Sequence, residues 1–186
     1  MISDDAALVE HLATDLDGSF EHLVLAYQDR LYSFALRYTG RAADAEDGVQ
    51  DAFVRAYRAL RGYSADRRRA LHLRPWLYRI TLNVIRNRVR GQRPVLDEAI
   101  GERLVATPDE QPEIFAERAE RGRDLARLVA GLPERYRSAV ILRHVQDLSY
   151  AEVAAVLDQP VGTAKANVHR GLRLLRQAIL VGGATV

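Results

Sequence analysis

A chain of 186 residues with 48% hydrophobic and 28% charged residues has the make-up of a folded protein with a packed core, in one domain or two small ones. No apolar run approaches the ~18 residues of a membrane span, the stretch from Met1 to Asp5 is acidic where a signal peptide is basic, and the lack of cysteine excludes disulfides, zinc–cysteinate sites and thiol nucleophiles; the expected location is the cytoplasm. The net charge of +2 conceals −5 over residues 1–17, +8 over 18–93, −5 over 94–113 and +4 over 114–186, two basic blocks around an acidic connector, as two surfaces for a polyanion require.

After the acidic segment 1–17, Ser19 reads as an N-cap, and Phe20, Leu23, Val24, Tyr27, Leu31, Phe34, Ala35 and Tyr38 recur at helical spacing until Gly40. A second helix runs from about Ala42 to Leu60. Ala45, Val49, Ala52, Phe53, Ala56 and Leu60 form its inner face, and Asp44, Asp47 and Asp51, then Arg55 and Arg58, its outer one. Acids early and arginines late also suit the helix dipole, so helix stabilisation alone is an alternative reading of that stripe. A loop, 62–69, ends in Arg67, Arg68 and Arg69. Pro75 then sits where a first-turn proline belongs, and Trp76, Leu77, Ile80 and Val84 make an apolar stripe reaching about Arg90.

On that last helix Arg79, Asn83, Arg86 and Arg90 stand four, three and four residues apart, hence on one face, and three arginines with an amide favour nucleic acid. Tyr63, Trp76 and Tyr78 lie near enough to offer stacking surfaces for single-stranded bases, although core packing is the stronger reading for Trp76. From Pro94 to Glu113 the period fades, prolines stand at 94, 108 and 112, and six acids face one base. This is a linker, able to span ~65–70 Å when extended.

Helices follow at about Pro112–Gly131, Pro133–Val145, Ser149–Leu157 and Pro160–Leu180. The last two form a helix-turn-helix pattern. Ser149 and Glu152 make a capping box, and Asp158 occupies a turn that needs a left-handed residue. In the second helix Val161, Ala164, Val168, Leu172, Leu175 and Ile179 recur as an inner face, which leaves Thr163, Lys165, Asn167, His169, Arg170 and Arg173 outside for phosphates and base edges. A helical hairpin with a solvated basic face is the alternative. No strand pattern appears, so the fold class is all-α: two small helical domains on an acidic, proline-containing tether. No Glu-x-x-His pair, Ser-His-Asp grouping or glycine-rich phosphate loop is present, so neither a catalytic residue, a metal, a cofactor nor a small-molecule substrate is expected.

Together, DAEDGVQDAFVRAYRAL at 44–60, RPWLYRITLNVIRNRVR at 74–90 and LPERYRSAVILRHVQDLSYAEVAAVLDQPVGTAKANVHRGLRLLR at 132–176 resemble the bacterial sigma factors of the extracytoplasmic-function (ECF) group, over about residues 18–181. The resemblance implies an RNA polymerase specificity subunit, with a region 2 domain at 18–93, a linker at 94–113 and a region 4 domain at 114–186. It implies docking on core polymerase through Asp44, Asp47, Gln50, Asp51 and Arg55. It implies recognition and melting of the minus-ten element by Tyr63, Arg74, Tyr78, Arg79, Asn83, Arg86, Asn87 and Arg90, and of the minus-thirty-five element by Tyr150, Thr163, Lys165, Ala166, Asn167, His169, Arg170 and Arg173. The family often carries Val, Ser and Arg where Ala164, Ala166 and Asn167 stand, and Asp where Asn87 stands, which bears on promoter sequence and leaves the fold untouched. Its partners would be core polymerase, promoter DNA and a separate anti-sigma factor that can hold the chain near the membrane.

Overall fold

The computed structural model describes residues 5–89, 122 and 124–182, and within them every regular element is helical. The expected linker at 94–113 and Arg90 lie outside the described residues. The elements are α1 (Asp5–Thr14), α2 (Leu16–Thr39), α3 (Ala42–Arg61), α4 (Ala65–Arg69), α5 (Leu73–Val89), α6 (124–130), α7 (Glu134–Val140) continued by a π-helical turn (Ile141–Val145), α8 (Tyr150–Leu157) and α9 (Val161–Gly182).

The acidic N-terminal segment is itself helical. Val9, Leu12 and Ala13 of α1 are buried against its neighbours, and the Tyr27 hydroxyl donates to Asp5 at 2.7 Å. α2 begins earlier than the apolar spacing predicts. Asp15, not Ser19, is the N-cap, accepting from the Gly18 amide, while Ser19 is buried one turn inside the helix. Gly40 closes α2 in the left-handed conformation at φ 76°, as a glycine readily can. Tyr27, Leu31 and Phe34 of α2 are fully buried, Phe34 edge-on to Tyr78 of α5, and each such side chain contributes about 1.5–3 kcal/mol. Gly48 lets α3 approach α5, because a Cβ there would come within 2.7 Å of Ile85 Cγ2.

In the C-terminal unit Leu132, Val140 and Leu175 join α7 to α9, and Gly171 permits a close crossing: a Cβ would meet Val140 Cγ2 at 2.5 Å. The π turn is marked by the Gln146 amide donating to Ile141 O at 3.0 Å, five residues back. The two units are not held apart. α5 packs on α8, α2 packs on the π turn, and one continuous core runs from Leu23 and Phe34 through Tyr78 to Leu142, Leu148 and Val153.

Candidate nucleic-acid interface

α3 carries the acidic stripe on its outer side, and α5 answers part of it. Arg88 reaches Asp47 at 3.1 Å and Asp51 at 2.5 Å, and its hydrogen bond to Asp51, reinforced by Asp47, pushes the guanidinium above its ordinary range. Asp44 pairs with Arg41 at 3.5 Å, and Gln50 and Arg55 are exposed. The predicted docking residues thus share one helix face, with a bridging arginine from α5 that the stripe alone did not reveal.

The α5 stripe is recovered in part. Arg79, Asn83 and Asn87 are exposed, and Arg74 and Arg86 are half-buried. Tyr78 departs from expectation: its side chain is wholly buried, its hydroxyl donates to Gln146 Oε1 at 2.7 Å, and burial pushes its pKa up to about 12. It therefore presents no stacking surface in this arrangement. Helical phase explains this, because Tyr78 sits one residue out of step with the Arg79–Asn83–Arg86 face and one after the buried Leu77. Tyr63 is half-buried beside Trp76, ring centroids 6.2 Å apart, with the Arg67 guanidinium 3.9 Å from its centroid. Trp76 packs against the core, in line with its core reading. The segment 62–69, expected as a loop, contains a short helix: Ser64 caps α4, Arg69 bonds Glu10 and Asp66, and Arg68 donates to the Leu60 and Leu12 carbonyls.

Three other arginines of α5 face the C-terminal unit. Arg74 donates to the Gln146 carbonyl and lies 3.8 Å from Glu152, Arg79 meets Asp158 at 3.0 Å, and Arg86 meets Glu134 at 2.7 Å. Below them Arg137 donates to the Tyr38 and Leu132 carbonyls, and burial lowers its pKa. Gln146, Glu134 and Arg137 carry no periodic signal of a junction; only the folded chain brings them to α5 and α2.

In the helix-turn-helix the expected devices form. Ser149 and Glu152 make the reciprocal capping box, and Asp158 adopts φ 54°, ψ 53°. Thr163, Lys165, His169, Arg170 and Arg173 of α9 are exposed, Ala166 and Tyr150 half-buried. Tyr150 lies 6.4 Å from the His169 ring, and the Arg143 guanidinium sits 5.2 Å from the Tyr150 centroid, which adds Arg143 to this surface. Asn167 is a correction. It is 8% exposed and donates to Gln159 Oε1 at 3.2 Å, so it braces the turn instead of facing outward. Val161 and Ile179, assigned to the inner face, are about half exposed because the helix overhangs the core at both ends, while Gly171 joins the inner face in the middle. No group of metal-ligating side chains assembles among the described residues, and no described helix is long and apolar enough to cross a membrane.

The Sigma-70 region 2 family model matches residues 23–95, and the Sigma-70 region 4 model matches residues 122–175. The chain is 34% identical over 160 residues to the ECF RNA polymerase sigma factor SigE of Mycolicibacterium smegmatis, covering 85% of this chain and 60% of that protein. It is 31% identical to the ECF sigma factor SigW of Bacillus subtilis, over 87% of this chain and 89% of that one. It is 34% identical to the ECF sigma-E factor of Escherichia coli, over 89% of each. In fold it resembles CnrH, solved with the cytosolic domain of CnrY, at a TM-score of 0.71 with 24% identity over 95% of this chain and 97% of that one. It also resembles RpoE of Bartonella quintana, solved with the anti-sigma factor NepR, at 0.62 with 23% identity over 87% and 97%.

Proposed function

The chain belongs to the extracytoplasmic-function group of RNA polymerase sigma factors and is a promoter-specific transcription initiation factor, and from that premise we propose how its surfaces divide the work. α9 enters the major groove of the minus-thirty-five element with Lys165, His169, Arg170 and Arg173, supported by Thr163, Ala166 and Tyr150. The Arg79–Asn83–Arg86 face of α5, with Arg74, Asn87 and Tyr63, takes the melted minus-ten element. The acidic face of α3, Asp44, Asp47, Gln50 and Asp51 with Arg55, docks on a basic surface of core polymerase. Sigma factors are specificity subunits and not enzymes, and this chain acts without catalysis of its own, in the cytoplasm, under an anti-sigma partner of the kind solved with proteins of this fold.

The observation that carries this reading is the clustering of exposed cations on α9 behind a capped, left-handed turn, in the order region 2 then region 4. Reconstitution with core polymerase tests it. Specific transcripts from a random promoter library are expected, and their absence, with core binding intact, would remove the promoter-recognition assignment. A dimeric regulator or an enzyme would start no transcript.

A further inference from the structure

The 27 Lys and Arg residues include a single lysine, Lys165, and it stands on α9 among the side chains that meet the minus-thirty-five element. The α-amino group aside, its side chain is the only primary amine in the sequence. The two kinds of cation differ in chemistry: acylation converts an amine to a neutral amide, whereas a guanidinium keeps its charge. The setting of Lys165 leaves the amine open. It is exposed, α9 holds no acid at all, and the nearest acid along the chain, Asp158, is taken by Arg79 at 3.0 Å. Helical side chains lean towards the N-terminus, so Lys165 extends past Val161, itself half exposed, and past Gly162, beside whose absent Cβ there is open space.

We propose that Lys165 is an acylation site, and that acyl transfer to it from an acyl phosphate weakens minus-thirty-five recognition while core polymerase binding persists. In that step the deprotonated amine nitrogen attacks the acyl carbonyl carbon. The bond from that carbon to the phosphate oxygen breaks, its electron pair leaves with the phosphate, and the nitrogen gives up a proton to solvent; nothing is oxidised or reduced. An ammonium with three donors becomes an amide with one, and the α9 face loses a positive charge that neutralises a DNA phosphate and releases a counterion. The minus-ten and docking faces are built of arginine, amide, aromatic and acidic side chains without a lysine, so the same chemistry passes them by. An acylated chain therefore still occupies polymerase and competes with the unmodified one for it. This rests on reading α9 as the minus-thirty-five helix.

The test uses the whole chain, incubated with acetyl phosphate, freed of reagent, mapped by mass spectrometry after cleavage at arginine, and only then assembled with core polymerase. Among side chains, stable acetylation is expected at Lys165 alone. Affinity of the holoenzyme for a promoter selected from the random library is expected to fall about tenfold, with the salt slope lowered by about one, while affinity for core polymerase holds. Lys165→Gln should lower promoter affinity in the same sense. Lys165→Arg, compared with itself before and after acetyl phosphate, should lose nothing on treatment. On a template whose minus-thirty-five element is scrambled, acetylated and unmodified holoenzymes should behave alike. A folded chain that stays unmodified under conditions that acetylate Lys165 after denaturation would overturn the site, and an equal loss in treated Lys165→Arg would overturn the switch by placing its cause elsewhere. Acetylation at Lys165 without loss, on promoters still sensitive to scrambling, would also overturn the switch and leave the α9 reading standing. Scrambling that costs the unmodified holoenzyme nothing would overturn the α9 reading itself, and the switch with it.

Discussion

Arg88 stands between two carboxylates that the docking proposal needs to present outward. Asp47 and Asp51 share one guanidinium, so their combined charge is partly offset before any partner arrives. Asp47→Arg with Asp51→Arg is expected to lower core polymerase affinity by tenfold or more through like-charge contact, with thermal stability shifting by no more than about 1 kcal/mol for such half-exposed pairs. Arg88→Ala should do the reverse, tightening association most at low salt. Core-binding titrations alongside melting curves decide both. On α9 the buried Asn167 and the exposed arginines separate cleanly. Asn167→Ala removes its bond to Gln159 and is expected to cost about 0.5–1.5 kcal/mol of stability. Arg170→Ala should relax minus-thirty-five preference at one or two base pairs, costing ~1–3 kcal/mol on the best site. Arg173→Ala should weaken all sites alike and reduce the salt slope by about one. Promoter-library transcription with each variant distinguishes the three, and an unaltered profile for Arg170→Ala would move the reading face elsewhere.

At the level of elements, two glycines of α9 make a paired prediction. Gly162 has open space around its absent Cβ, so Gly162→Ala should stabilise the helix by about 0.5–1 kcal/mol. Gly171→Ala drives a methyl into Val140 and towards the Tyr136 backbone at 3.4 Å, and is expected to cost about 1–3 kcal/mol as α7 and α9 are wedged apart. Opposite shifts in melting temperature are the check. Much of this layer was legible from residues alone, because local chemistry decides it: the Ser149–Glu152 box, the left-handed Asp158 and the Gly40 stop each act within one turn of chain. What escaped depends on distant partners. α1 is short and acidic, and its stability comes from packing on α2 and α4 and from Tyr27 and Arg69 reaching back to it. α4 spans five residues, too few for a period to show. Spacing alone puts Asn167 outward, because a polar residue at that phase is indistinguishable from one that points at bases; its partner Gln159 comes within reach only once the turn has folded.

For the molecule as a whole, the seating of the two units is the property that sequence periodicity could not carry, since long side chains of α5 settle it by pairing with single residues far along the chain. It is also the property most open to solution conditions. Tyr78 has its pKa raised by burial from 10.0 to about 12, with Arg74 and Arg30 pulling it down and Glu152 pushing it up. Its neutral form is the one the junction accepts. The stabilisation is therefore complete below pH 10 and is lost as pH rises from about 10 through about 12. Energy transfer between donor and acceptor dyes on Glu21→Cys of α2 and Gln177→Cys of α9, both exposed positions in a chain without cysteine, should fall in that window, and Tyr78→Phe should flatten the transition. The π turn at Ile141–Val145 gives this seating an unusual dependence on chain length. Deleting one residue there would restore ordinary α winding and turn everything downstream by ~100° about the helix axis, carrying Gln146 away from Tyr78. Apolar exchanges within those five positions should be absorbed, whereas a single-codon loss would leave both halves folded and mutually misaligned, a lesion in counting and not in composition.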